Sequence, residues 1–410
     1  MVLSDAQGDP LSPATLWLDR RAHETVPLLS REFGAAKLHE ISGKPVDVIP
    51  CVYRLRHMRQ TEPDLLDKAA KVLSVHDFLT WRLTGQATAS WTSADPFGLF
   101  DIKQKRWSEP LLDHLGIPRD RFPPTYPPAT LIGHVTEEAS NLTGLTVGTP
   151  VYTAGGDGHC AALGVGAISP GVVYLNLGTA VVGGLWSPTA EISQYWRTLI
   201  SPSGDGYLLE TVQRGGAYFI NWLLDTFAGG RGNPELFGLL EDEARNLPIG
   251  SAGVTVSSHL VGCMDPHWDM NARAAFVGMG PETRIAHLYR ASMEAITLEF
   301  VRSLQQMRKS GVNADRIFVI GGGAASSLWL QMIADASGLP VVQSLSNEAS
   351  ALGAGISAAV GRGWYKDFTA ATAGMTHLSQ RVQPDPEALP EWDELSRRHE
   401  KLYFALAECA

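Results

Sequence analysis

Between Thr283 and Lys309 apolar side chains return every three or four residues. Ile285, Leu288, Tyr289, Ile296, Phe300, Leu304 and Met307 form one stripe, which predicts a long helix with a single buried face. The next stretch, RIFVIGGGAASSLWLQMIADASGLPVV, changes period several times. It reads as a strand, a glycine loop, an amphipathic helix, a glycine stop and a second strand. EASALGAGISAAVGRG adds a helix whose small residues permit close packing. Upstream, GVVYLNLGTAVVGGLW (Gly171 to Trp186) reads as two β-branched strands around Gly178-Thr179. Val151 to Ala154 is a short apolar strand, followed by a Gly-Asp turn and an alanine-rich helix. Nearer the start, a short strand-like stretch in ATLWLDRRA (Ala14 to Ala22) precedes helices predicted over His23 to Phe33 and Asp64 to Leu83, the second stopped by Gly85. RWSEPLLDHLGIPRDRFPP reads as a short helix, a glycine stop and a proline-rich turn. Strands alternating with helices predict an α/β protein, and the hairpin at Gly178 argues against a purely parallel sheet.

Length turns this pattern into two domains, because 410 residues exceed the roughly 250 to 300 at which one core stops growing. The division falls near residue 168, giving domains over 1–168 and 169–410, with the last helix expected to pack back on the first. A formal net charge of -10 with no local Lys/Arg block speaks against a nucleic-acid surface. Cys51, Cys160, Cys263 and Cys409 lie far apart with no CxxC spacing, so neither a disulfide framework nor a zinc knuckle is expected. The first residues carry no basic and apolar leader, and no run of about 18 apolar residues occurs. The expectation is a soluble cytoplasmic protein with no membrane partner.

Three glycine turns stand at predicted strand ends: Gly155-Gly156, Gly178-Thr179 and Gly321-Gly322-Gly323. Glycine lets main-chain N–H groups close around phosphate oxygens, and it equally serves tight turns that need positive φ. None of the three matches a P-loop or a dinucleotide fingerprint. Asp157, at the end of the first turn, has two readings: an N-cap for the helix behind it, or a general base that takes a proton from an attacking hydroxyl. His159 and Cys160 beside it diverge around a helix and are expected to pack.

Together these pieces resemble the FGGY carbohydrate kinases. GGDGHCAALGVGAISPGVVYLNLGTAVV is similar to that family's junction of Gly-Asp turn, alanine-rich helix and Leu-Gly-Thr hairpin. ATLWLDRRA, VHDFLTWRLTG, RWSEPLLDHLGIPRDRFPP, DPHWDMNARAAFVGM and the two C-terminal glycine segments continue the resemblance in family order. It implies two ribonuclease-H-like domains of the actin and hexokinase type around a cleft, and ATP-dependent phosphorylation of a small sugar, a ketose such as xylulose or ribulose, or a polyol. By the same resemblance Asp157 is the catalytic base and contacts the sugar, and Trp17 walls the sugar pocket, with a core tryptophan as its other reading. Gly178 and Thr179 border the phosphates, Gly215 and Gly216 form another turn beside the nucleotide, and Gly322, Gly323 and Ser326 hold the adenosine. The loops at Gly178 and Gly322 are expected to face each other across the cleft. Magnesium arrives with ATP. Asp265, His267, Trp268 and Asp269 shape a loop rather than ligate a metal, and Asp77, Arg82 and Arg273 are read as packing or ion-pair residues.

One departure stands against this. Family members begin with a strand, an Asp-x-Gly-Thr type phosphate loop and a Gln-x-His-Gly type segment, whereas MVLSDAQGDPLSPATLWLDRRA resembles the family's chain immediately after those elements. The first domain is therefore expected to be incomplete, with an open strand edge that invites a second copy, a homodimer. A catalytically impaired nucleotide-binding protein on the same scaffold is the alternative, and an actin- or chaperone-like ATPase a more remote one.

Overall fold

A computed structural model describes residues 1–17, 19–232, 235–346 and 348–408; Cys409 lies outside them. In the first part, strand β1 (Val2–Ser4) pairs antiparallel with β2 (Lys71–Leu73), and the helix α1 (Val75–Thr84) follows. The helix expected from Asp64 to Leu83 is thus two helices interrupted by a strand. The break lies in the local chemistry. Ser74 and Asp77 form a reciprocal capping box that restarts the helix, satisfying N–H groups that would otherwise be orphaned. Gly85 ends α1 in the left-handed conformation.

Among the described residues 14–17 of ATLWL the expected strand does not form. Leu16 and Trp17 project outward at 61% and 56% exposure, so no second layer rewards an extended pairing there. Residues 10–15 run along the free side of β1. Leu11 N donates to Leu3 O (2.9 Å), Thr15 N to Met1 O (3.0 Å), and Pro10 bridges Ser4. Strand β1 thus has neighbours on both sides within the chain. Strands β3 (Leu131–His134) and β4 (Pro150–Tyr152) form another antiparallel pair. Among the described residues before Gly171, strands pair only in twos, around a core built on Leu29, Leu55, Phe100, Trp107 and Phe122.

The helix α2 (Asp157–Gly164) leads into a seven-stranded mixed sheet. Its strands are β5 (Gly171–Leu177), β6 (Val181–Ser187), β7 (Arg197–Ile200), β8 (Tyr207–Gln213), β9 (Ala314–Ile320), β10 (Val341–Ser344) and β11 (Leu378–Val382), in the order β7-β8-β6-β5-β9-β10-β11. Neighbours are antiparallel except β5/β9 and β9/β10, which are parallel. The period-two alternation of β5 assigns its faces. Val173, Leu175 and Leu177 join one core with Met293, Ile296 and Phe300 of the long helix, while Val172 and Tyr174 join another with Ala161, Ala162 and Val165 of α2.

The remaining helices are α3 (Ala217–Phe227), α4 (Ile285–Lys309), α5 (Ser327–Ser337), α6 (Ala349–Gly361) and α7 (Leu389–Ala407). The periodic stripe of α4 is buried as expected. Instead of folding back on the first domain, α7 packs on the second. Trp392 and Leu395 enter the α4 core, and His399 Nε2 donates to Val256 O (2.9 Å). Helices α2 and α6 meet backbone to backbone: a Cβ on Gly164 would stand 2.0 Å from Ala349 O, and one on Gly353 1.9 Å from Cys160 O. The second domain's β7 in turn sends Ile200 into the core of the first. No helix among the described residues is long and apolar enough to cross a membrane.

Candidate active site

Helix α2 starts at Asp157 itself, with Gly156 in the cap position and no side-chain cap. The capping reading of Asp157 is therefore not realised. Its carboxylate is exposed and accepts a hydrogen bond from the adjacent Gly158 N (2.9 Å). A surface carboxylate at the first turn of a helix is favoured by the local dipole and leaves lone pairs free for a substrate proton.

The turn before it is held by side chains. Ala154 N donates to His76 Nε2 (3.3 Å), and Thr92 Oγ1 donates to Ala154 O (2.6 Å). Asp77, fully buried, orients His76 by accepting from its Nδ1 (3.1 Å), and also accepts from Ser93 Oγ (2.7 Å). On the far side Ser350 Oγ of α6 donates to Asp157 O (3.0 Å). Behind Gly158 lies a buried polar group: Tyr174 Oη and Arg197 both donate to Glu210. Glu210 Oε1 would be 3.2 Å from a Cβ on Gly158, which explains a glycine after the aspartate. His159 and Cys160 are buried, and burial raises the Cys160 thiol above its ordinary pKa. That disfavours a thiolate nucleophile.

The other glycine turns converge at one edge of the sheet. Because β5 and β9 are parallel neighbours, with Asn176 paired to Ile320, the turns that leave them lie side by side. The arrangement of Gly178 and Gly322 on facing sides of a cleft is thus corrected to adjacency. A Cβ on Gly321 would lie 2.5 Å from Asn176 Oδ1, and one on Gly323 2.8 Å from Leu177 Cβ. The Gly215-Gly216 turn packs on the same spot. Ala217 N donates to Gly178 O (2.8 Å), Tyr218 N donates to Thr179 O (3.1 Å), and a Cβ on Gly216 would be 2.7 Å from Gly178 O. Gly322 differs from its neighbours, since a Cβ there would meet nothing within 4 Å. The three turns so form a tightly packed cradle with one position open. Ser326 caps α5, its Oγ accepting from Trp329 N (3.1 Å).

Trp17 is too exposed to be a core residue. The DPHWD stretch is consumed by the protein. Buried Asp265, pushed up to about 6 by that burial, accepts from Thr211, Val212 N and Ser303. His267 stacks on Tyr403, Trp268 Nε1 donates to Gln194 O, and Asp269 accepts from Tyr403 Oη. Arg82 pairs with Asp9 at the surface, and Arg273 donates to Met270 and Ala272 carbonyls. Sequence reasoning did not find the grip of His76, Thr92 and Ser350 on the Asp157 turn. Of the three, only His76 had a local signal, its place beside the capping Asp77.

Known proteins match both halves of the chain. Residues 1–164 match the N-terminal domain of the FGGY family of carbohydrate kinases, and residues 173–362 its C-terminal domain. The xylulose kinase of Bacillus subtilis is 27% identical over 407 residues, covering 98% of this chain and 80% of that protein. An autoinducer-2 kinase of Yersinia enterocolitica is 29% identical over 409 residues, covering 94% and 75%. The crystal structure of xylulose kinase from Rhodospirillum rubrum superposes with a TM-score of 0.92 at 28% identity, covering 99% of this chain and 82% of that one.

Proposed function

The chain belongs to the FGGY family of carbohydrate kinases, and we propose that it transfers the γ-phosphoryl group of ATP to a small ketose or polyol with Asp157 as general base. The observation that carries this reading is the uncapped, exposed Asp157 carboxylate on a turn clamped from several directions. As the acceptor hydroxyl oxygen bonds to the γ-phosphorus, its proton passes to Asp157 and the bridging P–O bond breaks, leaving ADP. Gly178 and Thr179 border the phosphates, Gly215 and Gly216 form another turn beside the nucleotide, and Gly322 and Gly323 border the adenosine. The open position at Gly322 fits a nucleotide there, since backbone can approach a ligand closely where no side chain intervenes. Trp17, exposed and rigid, is the wall on which the apolar face of a sugar stacks. Magnesium comes with ATP and neutralises phosphate charge, without a protein cage. The described cysteines, Cys51, Cys160 and Cys263, are free and buried, which supports a reducing, cytoplasmic setting.

The test is ADP release with ATP and a panel of xylulose, ribulose, xylitol, glycerol and autoinducer-2, the last included because autoinducer-2 kinases are among the relatives. Turnover that depends on one acceptor is expected. Nucleotide binding with no acceptor-dependent turnover would favour the catalytically impaired alternative.

A further inference from the structure

Asp95 opens a short 3-10 turn, Asp95–Phe97, and is completely buried. Three groups from three parts of the chain meet its carboxylate. Lys44 Nζ donates to Oδ1, Ile200 N of β7 donates to Oδ2 (2.9 Å), and His159 Nε2 lies 3.5 Å from Oδ2. Lys44 Nζ also donates to Thr198 O (3.0 Å), and Thr198 N donates to Gly43 O (2.8 Å). Burial alone would raise the carboxyl's pKa. The Lys44 ammonium and His159 outweigh burial and hold it below the ordinary value. Asp95 is thus an anion at the seam between the domains, bonded to the edge strand of the second.

His159 connects this seam to the site. It is 4% exposed, and its Nε2 makes no hydrogen bond, the Asp95 carboxylate being a polar contact at 3.5 Å. Its ring lies between Asp95 and the base turn: a Cβ on Gly155 would be 3.2 Å from His159 Cβ, and one on Gly156 3.7 Å from His159 Nδ1. Thr92, three residues before Asp95, holds Ala154 O from the other side. One segment therefore touches the base turn twice and the second domain once.

We propose that His159, seated by Asp95, is a positioning residue that sets the Gly155-Gly156-Asp157 turn and ties it to strand β7, so that the base takes up its place only when the two domains are in register. This rests on Asp157 being the base. A proton acceptor must sit within hydrogen-bond reach of the hydroxyl, and a misplacement of about 1 Å costs on the order of a hundredfold in rate. A buried imidazole against a fixed carboxylate adds an electrostatic contact that apolar packing of the same volume lacks.

The test separates position from packing. His159→Leu fills the space without a donor, whereas His159→Gln offers an amide N–H that reaches Asp95. The expected result is a kcat at least about tenfold lower in the Leu variant, KM for ATP within about twofold, and most of the rate restored in the Gln variant. In an Asp157→Asn background His159→Leu should cost nothing further, since two residues acting through one step do not add. Normal kcat in His159→Leu, equal loss in Leu and Gln, or full additivity with Asp157→Asn would each overturn the proposal. An Asp157→Asn enzyme of normal turnover defeats instead the base on which the proposal rests, and the same cycle shows which has failed. Amide exchange needs no turnover: Asp95→Asn should speed exchange about tenfold or more both at residues 154–158 and at 198–200. Unchanged protection at 154–158 refutes the coupling even if the Leu variant does not fold.

Discussion

The turn of the proposed base and the turns proposed to hold the nucleotide are both glycine-rich and both follow strands, yet they are built in opposite ways. Gly155-Gly156-Asp157 is held by side chains, those of His76, Thr92 and Ser350, each bonding a backbone group. The turns at Gly178, Gly216 and Gly321 are held by backbone against backbone, with almost no room for a single added carbon. Side-chain clamps can be retuned one atom at a time. Backbone packing is all or nothing, because a Cβ displaces the chain that its neighbour needs.

The largest expected effect bears on the proposed base. Asp157→Asn should lower kcat about a hundredfold or more while ATP affinity and melting temperature stay unchanged, because an amide also accepts from Gly158 N. Steady-state rates with the preferred acceptor decide it, and near-normal turnover removes the base. Next comes the backbone-held cradle. Gly321→Ala places a carbon against Asn176 and Leu177 at a positive φ of 88°, so stability should fall by about 1–3 kcal/mol, measured by denaturant unfolding. Gly322→Val, one position on, points into open space. It should weaken ATP binding about tenfold by excluding the ligand, with no loss of stability, as seen by calorimetry. Equal destabilisation of the two variants would erase the distinction drawn within the cradle.

The side-chain clamp should yield by degrees. Thr92→Val keeps the shape and removes two hydrogen bonds, to Ala154 O and with Ser90 Oγ, a loss of about 1–3 kcal/mol, expected as a severalfold drop in kcat. A threshold collapse instead would mean that the base turn, too, is all or nothing. The smallest effect is a control remote from both turns. Burial pushes His399 down to about 4, so the folded state keeps it neutral while the unfolded chain protonates it below about 6.5. Proton uptake on unfolding makes stability fall as pH drops from about 6.5 towards 4. His399→Gln should flatten the melting-temperature slope over that window by a degree or two and leave turnover at pH 7 unchanged.

Much of this was legible in the sequence because it is local. The stripe of α4 announced its buried face, the Gly-Asp turn announced a helix start, and the ordered motifs pointed to the family that both halves of the chain match. Local signals also misled. The Asp64 to Leu83 run looked like one helix until Lys71–Leu73 found a strand partner in Val2–Ser4, a choice that periodicity within the segment cannot express.

The sequence by itself determined the α/β alternation, the glycine turns at the strand ends and the position of Asp157, since each depends on neighbours a few residues away. Only the tertiary structure decided that Asp157 caps nothing, that the turns at Gly178 and Gly321 are adjacent because their strands run parallel, and that Asp95 joins Ile200 across 105 positions to meet His159. Contacts of that span arise when packing brings distant segments together. A buried carboxylate then bonds whichever donors the fold presents, because leaving it unpaired would cost more than the ordering its partners require.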